Sequence, residues 1–175
     1  MGNMNFEYKH LLDRNFHPGS RVWIYQSSRL FGLSETLKIE EMLQQFTDNW
    51  LSHGVPVKGE AHLFFGHFIV LIADETATGV SGCSTDSSVR FIKEIENIFR
   101  VNMFERTTLG FIVKDKIELL PLSQLQYAID KGFVSGDTPY FNNLAQTREE
   151  FENKWMIPLK DSWLSKKVSF LNSVS

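Results

Sequence analysis

The hydrophobic and polar positions along the chain follow two periods, one typical of strands and one typical of helices. The continuous apolar run Phe68–Ala73 predicts a strand that is covered on both faces. The segment Arg21–Gln26, RVWIYQ, has the composition of a first strand. Apolar residues spaced three and four apart predict amphipathic helices at Ser34–Leu51, with Ser34 as the N-cap, and at Asp86–Arg100.

Three further segments complete the predicted sheet. Val57–Phe65 reads as a strand that Gly66 turns directly into the central strand, which makes a hairpin. Leu109–Val113 and Ile117–Leu120 predict two further strands, joined by a tight turn at Lys114–Asp115. The resulting order of elements predicts an α+β protein with a ferredoxin-like split β-α-β sandwich and one extra strand. In that fold Leu109–Val113 joins the same sheet, and both helices cover one of its faces.

The same pattern predicts how the chain is divided. Residues 1–20 form an N-terminal extension, and residues 21–120 form the α+β core. Residues 121–163 form a C-terminal helical extension that packs on the core and contains a helix-capping box at Thr147–Glu150. Residues 164–175 read as a fraying tail.

Composition and charge exclude several classes of protein. The formal net charge is −3 and the chain has no long basic run, so we expect no nucleic-acid partner. A single cysteine excludes an intramolecular disulfide, and no apolar stretch approaches the length of a membrane-spanning helix. We therefore expect a cytoplasmic protein without membrane insertion. The 15 phenylalanines and four tryptophans suggest an additional buried interface, and we expect a homodimer.

The best candidate site is the loop of small residues before the predicted helix 86–100. Cys83 lies where a helix N-terminus favours negative charge, and Arg90 is close enough in sequence to help lower the pKa of a thiol. Cys83 and Arg90 are thus the candidate catalytic residues. Hydroxyls and free backbone amides in this stretch could bind a small anionic ligand. The candidate ligand-binding residues are Ser81, Gly82, Ser84, Thr85, Ser87 and Ser88.

Other polar residues have a simpler interpretation. Asp74 and Glu75 follow the central strand, and we expect them to lie in solvent where the loop begins. The five histidines, including His62 and His67 on either side of the predicted turn, show no metal-ligand spacing. No metal site and no cofactor are predicted.

Four segments together resemble a family of uncharacterised bacterial proteins whose members are often labelled "ABC transporter ATPase". They are RVWIYQSSR (21–29), SGCSTDSSVRFIKEIE (81–96), FNNL (141–144) and KDSW (160–163). An ATPase of that class needs a glycine-rich GxxxxGK[ST] loop to cradle the phosphates, and the chain has none. The resemblance therefore indicates a family and does not indicate ATP hydrolysis by a P-loop mechanism.

Two functions remain open from the sequence. The first is a binding or accessory module with a polar pocket at the Cys83 loop. The second is a small cysteine-dependent enzyme or thiol redox protein that uses Cys83. A thiol exposed in a cleft beside a base or a cation would favour the enzyme, whereas a thiol packed among apolar side chains would favour the binding module.

Overall fold

The computed structural model describes residues 5–76 and 82–170, with the backbone alone at residues 82–84. The chain forms two compact units. Among the described residues, the first unit comprises Phe6–Glu105 and Asn143–Glu152, and the second comprises Asn5, Arg106–Asn142 and residues 153–170.

The first unit contains five strands and two long helices among the described residues. In chain order they are β1 (Arg21–Gln26), α1 (Leu33–Asp48), β2 (Leu51–Ser52), β3 (Val55–Pro56), β4 (Lys58–Phe64), β5 (Phe68–Asp74) and α2 (Gly82–Phe99).

The sheet of the first unit is built around β5. This strand lies between β1 and β4 and runs antiparallel to both, so β1 and β4 run parallel to each other. All seven β5 residues are buried, and the apolar run Phe68–Ala73 predicts this for the first six of them. The connection from β1 through α1 to β4, with β5 inserted between the two strands, is a split β-α-β unit. The structure thus shows this order of three strands, and it does not confirm the predicted ferredoxin-like topology.

The two faces of the sheet are covered by different parts of the chain. On one face, Ile69, Leu71 and Ala73 of β5 pack in one apolar cluster with residues of both α1 and α2. On the other face, the rings of Tyr8 and Phe151 contact each other and Phe64. Because both faces of β5 are covered, the first unit encloses its central strand completely.

Both long helices begin earlier than the sequence predicted. The N-cap of α1 is Gly32, not Ser34. Glu35 reaches back so that its Oε1 accepts the Gly32 N–H at 2.9 Å, and the Arg29 guanidinium holds the same carboxylate in a bidentate pair. The helix α2 begins at Gly82 instead of Asp86, so Cys83 belongs to the first helical turn and not to the preceding loop.

The second unit has its own sheet and its own apolar core. Its elements are β6 (Thr108–Val113), β7 (Lys116–Pro121), α3 (Leu125–Asp130), β8 (Pro139–Phe141) and β9 (Met156–Pro158). The strand order is β7-β6-β8-β9. Lys114 and Asp115 both have positive φ angles, as a tight hairpin turn of the type I′ class requires, so the predicted turn is confirmed. A further helix, α4 (Arg148–Lys154), lies mostly in the first unit, and its Glu150 N–H is capped by the Thr147 hydroxyl at 3.2 Å.

The protein is α+β, but the prediction that Leu109–Val113 joins the first sheet is wrong. These residues belong to β6, which pairs with β7 and β8. The position beside β1 that a fourth strand of a ferredoxin-like sheet would occupy is taken by residues 146–147. The Val22 N–H donates to the Gln146 carbonyl at 2.9 Å, and Arg21 forms an isolated bridge with Thr147.

None of the described helices is both long enough and apolar enough to span a membrane.

A close contact between β4 and Trp50 gives a first testable prediction. A Cβ added at Gly59 would lie 2.5 Å from Cε3 of the Trp50 ring, which is buried against Trp23 and Phe46. We expect Gly59→Ala to lower the free energy of unfolding by about 1–3 kcal/mol, because the ring has to move within a packed core. Urea unfolding of this variant, of Trp50→Phe and of the double variant measures the effect. The smaller ring should recover at least about 0.5 kcal/mol of coupling energy; strictly additive losses would contradict the contact.

Candidate functional site

The directions of the hydrogen bonds in the first sheet show which backbone groups of β4 are bonded to β5. The Ser27 N–H donates to the His67 carbonyl at 2.7 Å, so His67 and every second residue after it are directed toward β1. The intervening residues of β5 are therefore directed toward β4. In the observed register one of them, Ile72, lies opposite Glu60. The even-numbered residues of β4 thus make the ladder to β5.

The odd-numbered residues of β4 point the other way, toward an open sheet edge. Their backbone N–H and C=O groups are those of Gly59, Ala61 and Leu63. No strand within the described part of the chain pairs with this side of β4. Among the described residues, these backbone groups also have no hydrogen bond to any loop or helix. The structure therefore presents a short row of unsatisfied donors and acceptors of the kind that pairs with an added strand.

A groove with a volume of about 820 Å³ runs along this edge. Its base is the stretch from Val57 to Phe64. One wall is formed by residues near the N-terminus and the other by one side of α1. The wall residues are Leu11, Asp13, Phe16, Glu40, Leu43, Gln44, Thr47 and Asp48.

The two walls meet different side chains of β4, because side chains alternate across a strand. Ala61 and Leu63 pack on the apolar cluster that contains the core residues of α1. Glu60 lies on the opposite face, where its carboxylate binds the backbone of Asp13 in the other wall. A ligand in the groove would therefore contact apolar side chains of the base on the α1 side and polar side chains of the base on the Asp13 side.

Glu60 and His62 form the most distinctive pair in the groove. Glu60 Oε1 accepts the Asp13 N–H at 2.9 Å and lies 2.5 Å from His62 Nε2. The Glu60 side chain is only 10% exposed. Its second oxygen, Oε2, is buried and has no hydrogen-bond partner within the described residues. A buried carboxylate oxygen without a donor is costly in a folded protein, so this atom is a natural site for a ligand donor.

The charge of the groove is mainly negative. Its lining contains four carboxylates, those of Asp13, Glu40, Asp48 and Glu60. The basic groups in the lining are one lysine ammonium and one histidine imidazole. The lysine, Lys58, already donates to the Asn15 carbonyl at 2.6 Å and lies 3.6 Å from the Asp74 carboxylate. The groove therefore favours a cationic ligand over an anionic one.

Asp74 fixes the chain that forms the N-terminal wall. Its Oδ1 accepts the Thr76 hydroxyl and its Oδ2 accepts the His17 N–H at 3.1 Å. The Thr76 hydrogen bond, followed by the backbone bonds and the charge of Lys58, lowers the pKa of Asp74 to about 2 against the effect of burial. The prediction that Asp74 and Glu75 lie in solvent is wrong, since both are buried.

The residues of the predicted Cys83 site are only partly described. Ser81 and the side chains of Cys83 and Ser84 lie outside the described residues, and Gly82 is described by its backbone helix alone, so the predicted roles of these four residues stay predictions. The remaining candidates occupy the first three turns of α2 and are Thr85, Ser87, Ser88 and Arg90.

Among these, Ser88 is fully buried and cannot contact a ligand in this structure. Its hydroxyl donates to the Thr85 carbonyl at 2.7 Å and lies 3.1 Å from the Tyr25 hydroxyl. These hydrogen bonds within the protein account for a polar residue at this buried position. Arg90 is exposed, and its guanidinium lies 3.5 Å from the Ser87 hydroxyl one turn earlier. The hydroxyl groups of Ser87 and Ser88 therefore contact other residues of the helix itself.

The segments that carry the family resemblance make structural contacts within their own units. The Asn143 side chain donates to the Gln26 side chain at 3.1 Å in the first unit. The Trp163 indole donates to the Tyr140 hydroxyl at 3.2 Å in the second unit. These contacts join residues far apart in the chain, which accounts for their residue types without a ligand.

Within the described residues, no group of three or more histidine, cysteine, aspartate or glutamate side chains could hold a metal ion. Comparison of the chain with protein-family models, with curated proteins and with solved structures found no match. The candidate site is therefore defined by its geometry alone.

Sequence reasoning missed the groove residues Glu60 and His62. The signal that was present is the alternation of Lys58, Glu60 and His62 with small or apolar residues, which places three polar side chains on one face of a strand. The open edge itself depends on which strands pair, and the apolar pattern does not specify that.

The low pKa of Asp74 predicts a specific loss of stability in acid. Because the folded-state pKa lies below the unfolded value of about 4, the stabilisation is present above pH 4 and is lost as the pH falls toward 2. The shift corresponds to about 2 kcal/mol. We expect Asp74→Asn to lower the free energy of unfolding by about that amount at pH 7 and to flatten its fall between pH 4 and pH 2, measured by urea unfolding.

The exposed carboxylate of Glu94 on α2 provides a matched control. Glu94→Gln should leave both the stability at pH 7 and the acid limb within about 0.5 kcal/mol of the unchanged protein. If Asp74→Asn behaves like this control, the Asp74 network does not hold the N-terminal wall in place.

Proposed function

We propose that this protein is a binding module that takes up an extended peptide segment of a partner by adding it as a strand to the open edge of β4. The observation that carries the proposal is the row of outward backbone groups at Gly59, Ala61 and Leu63 at the base of a groove. Main-chain hydrogen bonds to such an edge supply affinity, and the walls of the groove supply selectivity.

The dimensions of the groove suit a single strand. The five residues from Gly59 to Leu63 extend over roughly 17 Å, enough for a ligand segment of about five residues. The walls stand on both sides of this edge, one on α1 and one on residues 11–16. They limit the space above and below β4, which favours one extended chain over a docked globular surface.

The side chains of an added strand would alternate between the two walls. Those directed toward α1 would lie near Leu43 and Leu63, which favours small branched apolar residues. Those directed toward the other wall would lie near Asp13 and Glu60. A segment with alternating apolar and polar residues therefore fits both sides.

The functions predicted from the Cys83 region are separate proposals. A small anionic ligand at the start of α2, a cysteine-dependent reaction and a homodimer each stay predictions. The mainly negative charge of the β4 groove gives no support for an anionic ligand there.

The proposal can be tested with a short extended peptide, acetyl-Thr-Val-Arg-Val-Thr-amide, and two N-methylated versions. One version is methylated at the two valines and the other at the outer threonines and the arginine. Backbone bonding alternates along a strand, so one version should bind like the parent and the other should lose at least about tenfold in affinity. Amide chemical shifts of β4 in a titration followed by NMR measure both the affinity and the place of binding.

A protein variant supplies the control for the edge itself. Ala61→Pro removes the central outward N–H, which a proline at a sheet edge can do without breaking the ladder to β5. It should abolish binding of the parent peptide while the far-ultraviolet circular dichroism stays unchanged. Binding that tolerates both methylation patterns equally, or no binding of any peptide, would rule out strand addition at β4.

A further inference from the structure

We infer that the groove along β4 selects a segment with an arginine or lysine side chain directed toward Glu60. This inference rests on the proposed strand addition and adds the chemical class of the partner. Its basis is the coincidence of three features in one groove: an open edge, an excess of carboxylates and a buried carboxylate oxygen without a donor.

The excess of negative charge persists after the neighbouring cations are taken into account. Lys58 is the only lysine or arginine among the described residues that line the groove, and its ammonium is bound to the wall by the Asn15 carbonyl and Asp74. It also lies over the Phe16 ring at 4.9 Å. His62 contacts the Oε1 atom of Glu60 and leaves Oε2 without a partner. A ligand cation would therefore supply what the chain does not.

Glu60 is placed to form a strong contact with such a cation. Its side chain is nine-tenths buried and held at Oε1 by the Asp13 N–H, so little side-chain freedom remains to be lost on binding. Hydrogen bonds between a guanidinium or ammonium group and a carboxylate are about twice as strong as neutral ones. Partial burial also protects the pair from screening by salt, unlike an ion pair on an open surface.

The same charges argue against a second copy of this chain as the occupant. A symmetric pairing of two β4 edges would bring the acidic walls of both copies together, and like charges facing each other are destabilising. A basic segment turns the same four carboxylates, those of Asp13, Glu40, Asp48 and Glu60, into attractive groups.

The test compares acetyl-Thr-Val-Arg-Val-Thr-amide with the same peptide carrying citrulline in place of arginine. Citrulline keeps the shape and most of the donors of arginine but removes the charge. We expect the arginine peptide to bind about tenfold more tightly, and Glu60→Gln to reduce that ratio to about two. The glutamine keeps an oxygen that can accept the Asp13 N–H, and thermal unfolding verifies that the variant folds.

Glu94→Gln is the matched control, because Glu94 is an exposed carboxylate on α2 that does not line the groove. It should weaken both peptides by less than about twofold at 0.15 M salt and leave the ratio close to ten. Equal affinities for the arginine and citrulline peptides would overturn the inference and leave strand addition intact. If neither peptide binds, both the arginine selectivity and the strand addition are overturned. Both are also overturned if sedimentation shows a dimer in which the β4 edge is paired with a second copy and does not bind peptide.

Discussion

A strand that is buried on both faces has to be covered twice and paired along both of its edges, and β5 imposes this requirement on the first unit. Its seven residues are all buried, and β1 and β4 satisfy its two edges. The helices α1 and α2 cover one face. The outer edge of β1 is occupied in turn by Gln146 and Thr147, which leaves the outer edge of β4 as the one without a strand partner in the described chain.

The N-terminal chain that covers the second face is held by charged groups, and these groups also create the groove. Asp74 binds the backbone of His17, Lys58 binds that of Asn15, and Glu60 binds that of Asp13. Asp74 and Glu60 are largely buried, and the hydrogen bond to a buried carboxylate is sufficient reason for these two contacts in a stable protein. The contact of Lys58 with Asn15 is exposed. Glu60 differs from the others because one of its oxygens is left without a donor. In the proposed function, the ligand donates to this Glu60 oxygen, which has no donor within the described residues.

Local patterns in the sequence predicted local structure well. The apolar run of β5, the helical spacing in α1 and α2, and the turn at Lys114–Asp115 all appear in the structure, because each depends on residues close together in the chain. The partner of β6 was predicted wrongly because its apolar pattern suits any sheet. Glu60 was missed for a related reason, since its isolation depends on contacts with Asp13 and His62 that only the folded chain creates.

Amide hydrogen exchange shows whether the outer edge of β4 is open in the free protein. The N–H groups of Glu60, His62 and Phe64 are directed toward β5 and should be protected in the free protein. Those of Gly59, Ala61 and Leu63 should exchange at least about tenfold faster. Such an alternating pattern along one strand is what an unpaired edge predicts. Uniform protection of all six amides in the free, monomeric protein would show that the edge is already occupied and would contradict the account.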